Sequence, residues 1–332
     1  MGVRRRGQRS RVAVTGVSSF LGSRVLTRLL EGRRPEQILS VDLAPSARHR
    51  QVPHRNVDFT EPAADQALLE VFQEEEVGAI VHCAFFTSPQ RDADYAHELE
   101  SIGTLNLLAA AVAAGARRVL IRSFTAVYGA SGRNPNFLTE EHPIRARASL
   151  GWLRDKVEAE QHAASFAARY PETAISALRF APILGPGVRS FYTAVFDHRA
   201  LPVPMGYDPL IQLLHPEDAV AAVAAALDAQ VGGPINVVPR DALPLRTILH
   251  LAGKVPLPVP HPVAYAAADA LWAAGLGTAP GGFVDYARFL CVADGERARS
   301  ELGFEARHST REALDAYLRY RHPAPEREGV QA

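Results

Sequence analysis

The sequence predicts an α/β fold built on a doubly wound parallel sheet, with a smaller C-terminal lobe. Three observations predict it. Through the first half, short apolar runs alternate with helical patterns, and strands that alternate with helices make a parallel sheet covered on both faces. A glycine-spaced turn joins the first strand to the first helix. After residue 180 the alternation gives way to proline-rich, loop-rich sequence.

The elements follow in order. Val12–Val14 reads as a strand, Gly22–Leu30 as a helix and Ile38–Asp42 as a second strand. Val57–Phe59 is a short strand, Asp65–Glu75 a helix and Ala79–Cys83 a strand. Glu98–Ala114 is a helix that carries Ile102, Leu105, Leu108 and Val112 on one face. The strand Arg118–Arg122, the helix Lys156–Arg169 and the strand Ile175–Phe180 complete the half. Right-handed crossovers between parallel strands make the sheet doubly wound. Beyond it, prolines cluster at 182, 186, 202, 204 and 209, and again at 256, 258, 260 and 262, around an Ala-rich helix Asp218–Leu227. Long loops of that kind carry substrate contacts. The division is therefore a basic tail over 1–10, expected to be disordered, a main domain over 11–180, a smaller substrate-binding lobe over 181–320 and a flexible tail over 321–332.

With 332 residues and 47% hydrophobic side chains, the chain can bury a large core. Its 36 basic and 36 acidic residues cancel, so no global field steers nucleic acid or an anionic membrane. The one basic cluster, Arg4, Arg5, Arg6, Arg9 and Arg11, reads as a terminal tail and not as a nucleic-acid arm. Two distant cysteines, Cys83 and Cys291, exclude a disulfide framework and favour a reduced, cytoplasmic setting. No apolar segment follows the basic start, so no signal peptide is expected. The stretch His261–Val284 holds only Asp269 as a charge, but Gly275, Gly277, Pro280, Gly281 and Gly282 would break a spanning helix. A packed helix with a loop is expected there, with lodging at a membrane interface as the second reading.

The sharpest motif runs from Arg11 through Val-Ala-Val-Thr to Gly16, then Ser19 and Gly22. Gly16 permits a tight turn, a small residue at 19 lets the backbone approach a pyrophosphate, and Gly22 lets the helix pack close to the strand. The helix N-terminus then offers free N–H groups to phosphates. Ser19 stands where the usual pattern has a glycine and fits if its φ is negative. Asp42, 20 residues after Gly22, ends the second strand. A carboxylate there can take both ribose hydroxyls and repels a 2′-phosphate, which favours NAD over NADP in a Rossmann-type site. No Cys/His/Asp cluster has metal spacing.

Thr15-Gly16…Phe20-Leu21-Gly22 resembles the fingerprint of the extended short-chain dehydrogenases/reductases, the NAD-dependent epimerase/dehydratase group, and the likeness runs from about residue 11 to 320. The resemblance implies several cofactor contacts. Asp58 and Phe59 match the acidic segment set against the adenine. Cys83-Ala84 ends the strand beneath the cofactor, and Ser101 stands at a position usually Asn in the following helix. Val127-Tyr128-Gly129 matches the family's turn. Ala181-Pro182, in Arg179–Gly187, matches the segment that closes over the nicotinamide. The helices Glu98–Ala114 and Lys156–Arg169 match those through which family members pair, which leaves a homodimer open.

Family chemistry uses a Tyr-x-x-x-Lys pair and a Ser or Thr four residues before the Val-Tyr-Gly tyrosine. Hydride transfer at a carbonyl carbon needs proton transfer at its oxygen, and a tyrosine beside a lysine ammonium supplies it near neutral pH. Here Lys156 is present, but Trp152 stands at the tyrosine position and Phe124 at the serine position. An indole N–H donates a hydrogen bond but cannot shuttle a proton near neutrality. Ser123 and Thr125 flank Phe124 as replacement hydroxyls. Lys156 is expected to hydrogen-bond the nicotinamide ribose. His82 reads as a satisfied core histidine, Tyr128 as packed behind its strand, and Glu140 and Glu141 as a solvated loop. Two functions follow: an NAD-dependent epimerase, dehydratase or reductase with a displaced proton donor, or a catalytically silent NAD(H)-responsive binding or scaffolding protein. The partner is a small-molecule substrate or none. Arg189, His198, Arg199 and His215 are the charges able to grip a diphosphate, and Phe191, Tyr192 and Phe196 could line an apolar pocket instead.

Overall fold

The structure, a computed structural model, describes residues 11–147 and 149–322. The basic segment 1–10 and most of the C-terminal tail, residues 323–332, lie outside the described residues. Seven strands form one parallel sheet: β1 Arg11–Thr15, β2 Ile38–Asp42, β3 His54–Asn56, β4 Val77–His82, β5 Arg118–Phe124, β6 Ala174–Phe180 and β9 Gly233–Val237. Their order across the sheet is β3-β2-β1-β4-β5-β6-β9.

Period-two alternation sends side chains to two cores. Val12 and Val14 of β1 face α1 (Phe20–Gly32) and α7 (Pro216–Asp228). Ala13, Leu39, Val41, Ile80, Val119 and Ile121 face the layer of α2 (Ala64–Glu74), α4 (Gly103–Ala113) and α5 (Gly151–Arg169). Each buried Val, Leu or Ile contributes about 1.5–3 kcal/mol relative to exposure. The strand order reverses between β1 and β4, and this switch point opens a crevice at the carboxyl ends of the strands.

Three expectations are corrected. The short strand lies at His54–Asn56, not Val57–Phe59, because the Asp58 carboxylate accepts from Thr60 N at 2.9 Å and from Thr60 Oγ1 at 2.7 Å, which turns the chain. The helix expected over Glu98–Ala114 begins earlier, at α3 (Ala93–His97), and passes through a π-helical turn at Glu98–Ile102 before α4. Its buried residues include Glu100, Ser101, Thr104, Leu107, Leu108, Ala110 and Ala111, whereas Ile102, Leu105 and Val112 are half-exposed, because a helix packed against both α2 and α5 has no single apolar face. The main sheet does not end at residue 180, since β9 pairs with β6 and α7 packs on α1. The smaller lobe is what remains. It contains α6 (Phe191–Val195), the parallel pair β7 (Ala200–Pro204) and β11 (Val255–Val259), and the antiparallel pair β8 (Leu210–Ile211) and β10 (Leu243–Pro244). Its other helices are α8 (Leu245–Leu251), α9 (His261–Ala273) and α11 (Thr310–Arg321), whereas α10 (Glu296–Leu302) packs on β9 and α7 of the main unit.

Over His261–Val284 the chain forms the expected helix with a loop: α9 has no fully buried residue but packs on Gly281–Ala287 and on β7, and its Asp269 Oδ1 accepts from Gly281 N at 2.6 Å. Among the described residues no helix is long and apolar enough to cross a membrane.

Candidate cofactor crevice

The turn between β1 and α1 is forced by contact. Gly16 has φ +65°, and a Cβ there would overlap the backbone of Cys83 and Ala84. A Cβ on Gly22 would overlap the Gly16 carbonyl. Ser19 has φ −74° and caps α1, its Oγ accepting from Gly22 N at 3.1 Å, so the serine fits. Phe20 and Leu21 open the helix. Leu21 is buried in the core, while Phe20 stacks under the Arg24 guanidinium at 4.7 Å. An open pocket over this turn is lined by Ser18, Ser19, Phe20, Arg24, Arg48 and Gly187. It pairs a helix N-terminus with two arginines, a donor set that fits a pyrophosphate.

Asp42 stands at the edge of the same turn. Its Oδ2 accepts from Ser18 N at 3.2 Å and from Ser18 Oγ at 3.3 Å, and its Oδ1 from Leu43 N at 2.8 Å. A carboxylate has lone pairs beyond these three for a ribose. Asp58 closes its own turn, and Phe59 stacks on His82 at 5.8 Å. His82 is fully buried between Thr15 Oγ1 at 2.6 Å and Thr104 Oγ1 at 3.1 Å, and burial pushes its pKa down to about 3. It is a neutral core residue, as the sequence indicates.

Cys83 and Ala84 leave β4 beneath the turn, and burial pushes the Cys83 thiol up to about 12, so it is no nucleophile. On the far side, Ala181 N donates to Val237 O at 3.0 Å, and Pro182 O accepts from Leu214 N at 2.9 Å. Pro182 faces a small cavity that Thr125, Tyr192, Gln212, Tyr286 and Cys291 also line. Tyr286 donates its hydroxyl to Ala126 O at 2.7 Å, and burial raises the pKa of both Tyr192 and Tyr286.

The sequence sets Lys156 against the cofactor ribose; the structure gives its ammonium another partner. Lys156 Nζ lies 2.6 Å from Glu100 Oε2, and neither side chain has any exposed surface. The π-helical turn aims Glu100 inward, and its other oxygen accepts from Phe86 N. Trp152, one helical turn before Lys156, donates its indole N–H to Phe86 O at 3.0 Å. Its ring meets Phe124 at 5.4 Å and Phe283 at 5.7 Å, inside a buried cluster with Leu150 and Leu153. Lys156 Nζ lies 4.4 Å from the Trp152 ring and 5.1 Å from that of Phe124. Burial, opposed by Glu100, lowers the Lys156 pKa to about 8, and burial raises that of Glu100.

The other expected groups turn elsewhere. Ser123 Oγ donates to Glu160, which also holds Arg179 at 2.6 Å. Ser101 Oγ donates to Glu158 at 2.8 Å, toward α5 and not the crevice. Tyr128 is buried behind β5 and β6, donating to Asn236 Oδ1 at 2.8 Å and accepting from Arg179 Nη1 at 2.8 Å. Glu140 is no loose loop group, since its Oε1 accepts from Asn236 N at 2.7 Å.

Sequence reasoning missed Glu100 and Arg122. Glu100 had a signal: with Ala96, Thr104 and Leu108 it falls on one line of i, i+4 positions. Arg122 had none, because an arginine near a strand end reads as an exit to solvent.

The sequence model of the NAD dependent epimerase/dehydratase family matches residues 12–238. A Mycobacterium tuberculosis protein named only as uncharacterized is 30% identical over 322 residues, spanning 95% of this chain and 85% of its own length. A 3-diazoavenalumate denitrifying reductase of a Streptomyces species is 32% identical over 222 residues, 63% of this chain and 67% of that protein. Among solved structures, the UDP-glucose-4-epimerase of Stenotrophomonas maltophila, with bound NAD and formylated UDP-arabinopyranose, aligns with a TM-score of 0.73 at 19% identity, covering 94% of this chain and 97% of the other.

Proposed function

The chain belongs to the NAD-dependent epimerase/dehydratase family, and from that premise we propose that it binds NAD(H) along the carboxyl ends of β1, β2, β4 and β5 without the family's tyrosine–serine proton transfer. The Gly16–Gly22 turn with Arg24 and Arg48 takes the pyrophosphate, Asp42 the adenosine ribose hydroxyls, and Asp58 and Phe59 flank the adenine. When bound, the dinucleotide supplies hydride chemistry at its nicotinamide. Cys83, Ala84, Ala181 and Pro182 border that end. Phe124 and Trp152 occupy the serine and tyrosine positions, and neither can exchange a proton with a substrate oxygen near neutral pH.

The observation that carries this reading is the sealed Lys156–Glu100 pair under the Trp152 indole. A lysine that lowers a tyrosine pKa or holds a ribose must present its ammonium to the crevice, and here that ammonium is spent on a buried carboxylate. The protein is therefore read as an NAD(H)-holding member of the family that does not epimerise or dehydrate sugar nucleotides. Calorimetric titration with NAD⁺, NADH and NADP⁺, followed by a turnover screen on sugar nucleotides and keto compounds, tests it. NADP⁺ binding more tightly than NAD⁺ removes the Asp42 assignment, and robust turnover removes the catalytic reading.

One observation favours a second reading. The cavity beside Pro182 presents the Thr125 and Tyr192 side chains, so a reductase with a displaced hydroxyl donor has a place to work. The 32% identity to a reductase over 222 residues agrees with it. Turnover that falls with Tyr192→Phe or Thr125→Val, but survives Lys156→Met, would favour this second reading.

A further inference from the structure

We infer that Arg122 makes the nicotinamide end of the crevice select the reduced dinucleotide over the oxidised one, an inference that rests on the cofactor reading above. Arg122 lies on β5, two residues before Phe124, and is only 6% exposed. Its guanidinium carbon sits 4.9 Å from the Phe124 ring centroid. Its Nε and Nη1 are shut off from solvent and have no hydrogen-bond partner among the described residues. Buried charges are normally paired, so a guanidinium in this state is a strong local source of positive potential.

No salt bridge reaches it among the described residues, and Glu100, whose field does reach it, is already bonded to Lys156. Lys156 and Glu100 neutralise each other at 2.6 Å. Asp155 is held by Arg154 at 3.2 Å and His97 at 3.0 Å. The Cys83 thiol, pushed up to about 12, and the His82 imidazole, pushed down to about 3, are both neutral at physiological pH. Arg122 therefore keeps a positive charge with no salt-bridge partner among the described residues, beside Phe124 at the end of β5.

The phosphates are not the natural partner of this charge. They belong at the N-terminus of α1, where Arg24 and Arg48 already stand. The sheet order puts β4 between β1 and β5, so β5 lies about 10 Å from β1 at roughly 4.8 Å per strand. The ring that reaches β5 is the nicotinamide. Oxidised, it carries a positive charge; reduced, it is neutral. In a site with little water the repulsion is weakly screened and falls on the oxidised form alone.

The test measures NADH binding by fluorescence titration and NAD⁺ binding by calorimetry for the wild type, Arg122→Met and Arg122→Lys, with thermal melting to confirm folding. The wild type is expected to bind NADH about tenfold more tightly than NAD⁺, or better. Arg122→Met should tighten NAD⁺ and bring the ratio to about threefold or less, while Arg122→Lys, which keeps the charge, should preserve it. Equal wild-type affinities would overturn the inference, and that arm stands even if Arg122→Met fails to fold. A methionine variant that weakens both forms alike would also overturn it, by assigning Arg122 to the phosphates. Failure of both dinucleotides to bind would remove the cofactor reading and this inference together, whereas NAD⁺ binding tightly with no NADH binding would overturn this inference alone.

Discussion

Lys156 Nζ and Glu100 Oε2 meet at 2.6 Å with no exposed surface on either side chain. The pair joins α5 to the π-helical turn before α4, and Trp152 covers it while its indole holds the Phe86 carbonyl. One contact thus holds the Lys156 ammonium on a buried carboxylate and packs the Trp152 ring over it.

The first prediction is a double-mutant cycle on this pair. Glu100→Leu or Lys156→Met alone leaves one buried charge without its partner and should cost about 3–5 kcal/mol in urea unfolding. The double variant should recover most of that loss, because two apolar side chains replace two ions that had to be dehydrated. Additive losses would mean that the pair is not coupled as described.

The second concerns pH. The folded-state pKa of His82 is depressed from 6.5 to about 3 by burial. Stability from this group is present above pH 6.5 and is lost as pH falls toward 3, because the unfolded chain takes up a proton that the native chain refuses. The slope approaches about 1.4 kcal/mol per pH unit within that window. His82→Gln, which does not titrate, should show a shallower acid limb. Equal limbs for the two proteins would contradict the assignment.

The third tests the turn and the ribose contact. Gly16→Ala meets both a positive φ and the backbone of Cys83 and Ala84, so it should cost about 2 kcal/mol or more and abolish dinucleotide binding. Asp42→Asn should leave stability unchanged within about 0.5 kcal/mol. It should weaken NAD⁺ by about 1–3 kcal/mol and narrow the discrimination against NADP⁺. A calorimetric titration in which Asp42→Asn matches the wild type would remove Asp42 from the site.

Much of this was legible in the chain. The β1–α1 turn, Asp42 at the end of β2 and the alternation of strands with helices each left a local pattern, and local patterns survive folding. The misplaced strand shows the limit. His54-Arg55-Asn56 has no apolar residue, yet it pairs with β2 as an edge strand, where backbone hydrogen bonds need no core face. The apolar Val57–Phe59 was the more persuasive reading, and only the Asp58–Thr60 side-chain turn shows why it is wrong. The partner of Lys156 was hidden for another reason. Glu100 lies 56 residues away, and although its i, i+4 line with Ala96, Thr104 and Leu108 marks an inward face, nothing local says which residue it meets there. Arg122 depends on what surrounds the end of β5 in three dimensions.

The fourth prediction follows from the Lys156 pair. Trp152→Tyr with Phe124→Ser restores two hydroxyls but leaves the ammonium on Glu100. This double variant should bind dinucleotide and stay inactive on sugar nucleotides. Adding Glu100→Gln frees Lys156 to face the phenol introduced at position 152, and only then should substrate-dependent reduction of bound NAD⁺ emerge. Stability will fall by about 3 kcal/mol or more from the Phe124 truncation, so the screen is run below the melting transition of each variant. Activity in the double variant equal to that in the triple would show that the Glu100 contact does not restrain Lys156.

The account's central claim is that the crevice holds NAD(H) while Trp152 and Phe124 leave no group to move a proton at the substrate oxygen. The most direct test mixes the NAD⁺-loaded protein with UDP-glucose or UDP-glucuronic acid and follows the near-ultraviolet absorbance of reduced nicotinamide on the bound dinucleotide. The account predicts retained NAD⁺ and no rise in that absorbance. A rise that reaches a stoichiometric fraction of the protein would show a working proton acceptor and contradict it.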